Sequence, residues 1–230
     1  AIIRGFKEEL FNIKDDRDMP ALDGMQMVNM NIIRKMILCL IDYDIAHAPF
    51  HIEDLEKRIY DSVSFRTSAG TRTLKVKGFI DRLDIVTGFN GNKAMRVVDY
   101  KTGSYTRKKL SADSLDKLFT DKDAHYVLQT LIYSEAVAYT DHTDSPLPLE
   151  PNLYFPQHKL TTPDLQTTVS IEKQEVHNYT EVRDRFLPAL TDKLREVVTT
   201  TSFPQVEEKE CSPLCPFLQI CARSPQTFNA

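Results

Sequence analysis

The chain has 230 residues, 41% of them hydrophobic and 27% charged, which is enough to bury one substantial core. Its formal net charge of -4 makes the surface as a whole no magnet for polyanions, so any nucleic-acid contact must come from a local basic patch. The longest apolar stretch, Met36 to Ile41, falls far short of the roughly 18 to 20 residues needed to cross a bilayer, which argues against a membrane role.

The first residue is Ala1 rather than Met, and Ala1 to Leu10 has neither the basic nor the apolar region of a secretory signal. The sequence therefore reads as a piece of a longer, cytoplasmic protein, a single domain over 1–230 with a cysteine-containing tail at 203–230. Ile33, Met36, Ile37, Leu40 and Asp44 recur at three- and four-residue spacing and predict a helix. A second helix is predicted over Ile52 to Val63. From Leu74 the period shortens to two, with Leu74, Val76 and Gly78 alternating with Lys75, Lys77 and Phe79, so a strand is expected to about Val86. Thr87 to Asn92 carries an Asn90-Gly91 pair that favours tight reversal, and Ala94 to Thr102 should pair antiparallel with the preceding strand.

A basic loop at Arg107, Lys108 and Lys109 follows, read either as solvated charge or as a rail for DNA phosphates. Then come a helix from Asp123 to Tyr139 and a strand from Asn152 to Gln157. Val176, Tyr179, Phe186, Leu190 and Leu194 mark a C-terminal helix, which Pro188 should kink or interrupt. Three of the four cysteines, Cys211, Cys215 and Cys221, crowd into the tail in a way that suggests metal binding more than disulfides. The remaining one, Cys39, sits between Leu38 and Leu40 and reads as a buried apolar thiol.

The chemistry concentrates in Gly78-Phe79-Ile80-Asp81-Arg82 and Val98-Asp99-Tyr100-Lys101-Thr102-Gly103. Strand positions two apart share a face, so Asp99 and Lys101 project together. The short turn lets the preceding strand bring Asp81 to the same spot. Two carboxylates that close would repel, and one would take up a proton unless a cation stood between them. Mg²⁺ suits such an oxygen-rich site and bridges to phosphate. The bland alternative is that Asp81 with Arg82, and Asp99 with Lys101, are exposed ion pairs on a solvated face. Tyr126, Gln129 and Tyr133 form one stripe of the third helix, either as a wall of this site or as the edge of the core, while Leu128, Leu131, Ile132 and Ala136 face the core.

The order GFID, VVDYKTG and QxxxY resembles the RecB-like branch of the PD-(D/E)XK nuclease superfamily, and its AddB-like C-terminal nuclease domains in particular. The resemblance implies an α/β fold, a restriction-endonuclease-like core in which a mixed central β-sheet is flanked by helices. It also implies a Mg²⁺- or Mn²⁺-dependent deoxyribonuclease of DNA repair and recombination. Asp81, Asp99 and the carbonyl of Tyr100 would be the metal ligands, Lys101 the catalytic lysine, and Gln129 and Tyr133 supporting residues of the DNA site. DNA and a helicase-nuclease partner subunit are the implied partners. Members hold a [4Fe-4S] cluster on three C-terminal cysteines and one far upstream; Cys211, Cys215 and Cys221 are the candidates here, with no evident fourth ligand. The spacing Cys211-x3-Cys215 is one residue longer than the common pattern, and neither His47 nor His51 has the context of the branch's upstream histidine. Two other readings stay open, an inactive DNA-binding or scaffolding module of the same fold and a metal-ribbon interaction module built on the tail.

Overall fold

Asp23 opens the longest helix with a capping box: its side chain accepts from the Gln26 backbone N–H, and the Gln26 side chain accepts from the Asp23 N–H. The computed structural model describes residues 1–15, 17–140, 147–159, 167–203, 215 and 217–221. In chain order these form α1 (Ile2–Gly5), α2 (Gly24–Ala46), β1 (His51–Thr67), β2 (Gly70–Thr87), β3 (Lys93–Tyr100), β4 (Ser111–Ala112) and α3 (His125–Thr140). β5 (Leu149–Tyr154), α4 (Pro156–Lys159), β6 (Ser170–Ile171), β7 (Gln174–Glu175) and α5 (Thr180–Thr199) complete them. No helix among the described residues is long and apolar enough to cross a membrane.

The main sheet has the order β1-β2-β3-β5, antiparallel at its first two junctions and parallel between β3 and β5. Helices cover both faces. On one, Tyr43 and Leu40 of α2 pack with Val98, Tyr100 and Tyr154. On the other, Val127 and Leu131 of α3 and Phe186 of α5 join Leu83, Val97 and Leu153 in the principal core. This is a mixed α/β architecture of the restriction-endonuclease-like kind, as the sequence led us to expect. The reversal between β2 and β3 also falls where expected, with Gly91 at φ +78°, a left-handed conformation that glycine adopts without steric penalty.

Several expectations are corrected. Ile52 to Val63 is not a helix but most of β1, which pairs with β2 from His51↔Ile85 to Thr67↔Gly70. Glu53, Asp54, Glu56 and Lys57 carry helix-compatible charge, but the long partner strand overrides local propensity, and the buried Val63 and Phe65 keep a two-residue period. Pro188 does not interrupt α5, which runs on to Thr199 because Val182, Phe186 and Leu190 all bury on its inner face. Val176 and Tyr179 lie before that helix, yet both are core residues.

β3 stops at Tyr100 rather than Thr102, and β5 stops at Tyr154, with Pro156 and Gln157 turning into α4. The basic loop is a 3-10 turn, Arg107–Leu110. Cys39 is half-buried rather than buried, because Met36 and Tyr43 make the deepest contacts of α2 while Ile33, Ile37, Leu38 and Ile41 remain exposed. Cys215 and Cys221 are half-buried, and Cys211 lies outside the described residues.

Candidate active site

The β2–β3 ladder ends at Arg82↔Val98, and one residue beyond it Asp81 takes over the role of a backbone acceptor. Its Oδ2 accepts the Tyr100 N–H at 2.6 Å. The neighbouring Lys101 N–H donates to the Tyr154 carbonyl at 2.8 Å, which keeps the β3–β5 pairing going past the formal end of the strand. The segment Asp99-Tyr100-Lys101 is therefore held from both sides by its flanking strands.

Asp99 and Lys101 project together, as their two-residue spacing requires. Lys101 Nζ stands 2.5 Å from Asp99 Oδ2 and donates to Gln129 Oε1 at 2.9 Å. Gln129 Nε2 donates onward to the Tyr133 hydroxyl at 2.6 Å, and the Tyr126 ring centre lies 5.3 Å from Lys101 Nζ. The stripe on α3 is thus a wall of the site, and Leu131 and Ala136 are buried on its other side as expected. Asp99 and Lys101 do form an ion pair, but a buried one: Asp99 is 3% exposed. Burial pushes the Asp99 carboxyl above its ordinary pKa, Lys101 pulls it down, and Asp81 pushes it up again. The Tyr133 phenol is likewise raised, first by burial and further by Asp99 and Asp81.

The glycine of GFID has a local reason. A Cβ at Gly78 would meet Tyr133 Cε1 at 3.0 Å, so the bare backbone is what lets the tyrosine lie on β2. Gly78→Ala should push Tyr133 away by a few tenths of an ångström and loosen Gln129 and Lys101 behind it. If the chain cleaves DNA, we expect kcat to fall about three- to tenfold with KM nearly unchanged, because small misplacements in a site act on the chemical step. An unaltered kcat would disconnect Tyr133 from the lysine.

The residues suit a divalent cation. Asp99 Oδ2 is buried and accepts no hydrogen bond, and the ammonium beside it is close but not aligned as a donor. Asp81 supplies a second hard oxygen group, the kind that Mg²⁺ and Mn²⁺ prefer. Among the described residues no three His, Cys, Asp or Glu side chains come together.

Of the basic residues, Arg107 and Lys108 are exposed while Lys109 turns inward toward Tyr126. A second charged group, unanticipated from the sequence, lies on the opposite face of the sheet. Arg82 does not pair with Asp81. It donates to Asp84 at 2.7 Å, to Asp44 of α2 at 2.7 Å and to the Tyr100 hydroxyl at 3.1 Å. Arg96 also donates to Asp84, at 2.7 Å. The spacing of Arg82 and Asp84, two apart on one strand, is the signal that could have found half of this group; Asp44 comes from a distant helix.

The model of the PD-(D/E)XK nuclease superfamily matches residues 6–222, and the chain belongs to that superfamily, whose members are typically metal-dependent nucleases. No curated protein matches the chain.

Proposed function

We propose that the chain hydrolyses phosphodiester bonds in DNA with Mg²⁺ or Mn²⁺, using Asp81, Asp99 and Lys101. The observation that carries this is Asp99 Oδ2, a buried oxygen without a hydrogen bond, beside the Lys101 ammonium and within electrostatic reach of the Asp81 carboxylate. Asp81, Asp99 and the Tyr100 carbonyl would hold the ion, which supplies positive charge against the phosphate and makes a bound water more acidic.

The protein's own groups do the rest. Lys101 offers a compact cation where negative charge develops and can orient the attacking water. Gln129 fixes that ammonium, and Tyr133 fixes Gln129, so the lysine is positioned before substrate arrives. Asp81 has a positioning task as well, since its bond to the Tyr100 N–H sets the height of Asp99 and Lys101 on either side.

On the resemblance of its three motifs, we assign the chain to the RecB-like, AddB-like branch. On that reading it would act in cytoplasmic DNA repair or recombination beside a helicase-nuclease partner. Cys211, Cys215 and Cys221 would be three of the four ligands of a [4Fe-4S] cluster in the whole protein.

The test is cleavage of linear DNA by the purified chain. Products should form with Mg²⁺ or Mn²⁺ and cease with a chelator. Either ion alone should raise the melting temperature of the wild type, because it binds the folded chain, and should not raise that of Asp81→Asn. A well-folded chain that neither cuts DNA nor responds thermally to the two ions would refute the proposal.

A further inference from the structure

The basic run after β3 is not three equivalent charges. Within the turn Arg107–Leu110, Leu110 is buried and anchors the segment against the core. Arg107 and Lys108 point to solvent, whereas Lys109 is half-buried. Lys109 Nζ donates to the Ser104 carbonyl at 2.5 Å and lies 5.6 Å from the Tyr126 ring centre. The same ring stands 5.3 Å from Lys101 Nζ. Tyr126 is braced edge-on by the fully buried Phe155, with ring centres 5.9 Å apart, and His125 lies against it.

Two ammonium groups are therefore gathered around one aromatic ring beside Asp81 and Asp99. Bringing like charges together is unfavourable, and the negative face of a ring offsets part of that repulsion. Lys101 also has Asp99 as a counter-ion. Lys109 has neutral oxygens of Ser104 and, among the described residues, no carboxylate partner. A cation held inward without a counter-ion is arranged for an incoming anion.

We infer that Lys109 is a second cation of the active site, which binds a backbone phosphate next to the one under attack, and that Tyr126 positions it. This rests on the proposed nuclease function and names a substrate contact within it. Unlike Lys101, Lys109 contributes through binding.

The experiment is equilibrium binding of linear DNA, read by fluorescence anisotropy in a chelator so that nothing is cut, across a series of salt concentrations. Lys109→Gln should raise Kd about tenfold and reduce the slope of log Kd against log salt by about one, the signature of one lost phosphate contact. Tyr126→Leu should raise Kd while keeping the wild-type slope, since the charge remains, and Tyr126→Phe should restore wild-type binding because the ring is kept. Lys93→Gln, at the other end of β3, serves as the control and should change neither quantity. Wild-type Kd and slope in Lys109→Gln would overturn the inference, as would a Tyr126→Leu protein indistinguishable from wild type. The parent proposal fails separately: a wild type that binds DNA but never cuts it sinks hydrolysis and leaves this comparison to be judged, and one that binds no DNA sinks both.

Discussion

Asp99→Asn and Lys101→Ala are each expected to slow DNA cleavage by at least about 10² to 10³-fold, the range seen when one preorganised electrostatic group is removed from an active site. Their effects on stability should have opposite signs. The folded chain holds the Asp99 proton more tightly than the unfolded chain does, since burial raises this carboxyl above its ordinary value. Stability from this group is therefore fully present below the ordinary carboxylate range and is lost as pH rises through the raised value. At neutral pH the charge opposes folding, and asparagine removes it, so Asp99→Asn should melt at or above the wild-type temperature. Lys101→Ala leaves that buried carboxylate without its cation and should melt lower. Single-turnover cleavage rates and thermal melts at neutral pH check both. A Lys101→Ala enzyme within tenfold of wild type would remove the lysine from the mechanism.

The ease with which this site could be read from the sequence has a physical basis. Strand periodicity and a short Gly-containing turn are local properties, so β2, β3 and the convergence of Asp81, Asp99 and Lys101 follow from about twenty-five consecutive residues. Gln129 and Tyr133 share a helix face for an equally local reason. The charged, helix-compatible residues of β1 point to the wrong element because its conformation is decided by a partner strand. Pro188 points the wrong way for the same cause, since Phe186 and Leu190 on either side of it are held by core residues from distant parts of the sequence. The direction of Lys109 depends on a ring on α3, and the partner of Arg82 on a carboxylate of α2, and neither is visible until the chain is folded.

Arg82→Ala should destabilise the chain by up to about 3 kcal/mol, the low end of the cost of breaking a buried ion pair, because Arg96 still faces Asp84. Asp84 is 0% exposed and Arg82 4%, so little water can replace what is lost. Burial works against the Arg82 charge, yet Asp44 and Asp84 outweigh it and hold the guanidinium above its ordinary value. Arg96 remains as a second partner of Asp84, and both guanidiniums lie against the Phe50 and Tyr154 rings, at 5.2 to 6.0 Å. Asp44→Asn, at a position where the carboxylate is 24% exposed, should cost only about 1 kcal/mol, because water can solvate part of the gap. Denaturant unfolding of the two variants measures the difference, and equal losses would show that the network does not act as a buried unit. Such a group adds little net stability over apolar packing, so its value lies in what it fixes. Asp81 and Arg82 are consecutive on β2, and both bond to Tyr100, one through the backbone N–H and the other through the hydroxyl. Arg82→Ala should therefore lower the cleavage rate even under conditions where the variant is fully folded, because the residue between Asp99 and Lys101 is then held from one face of the sheet and not two.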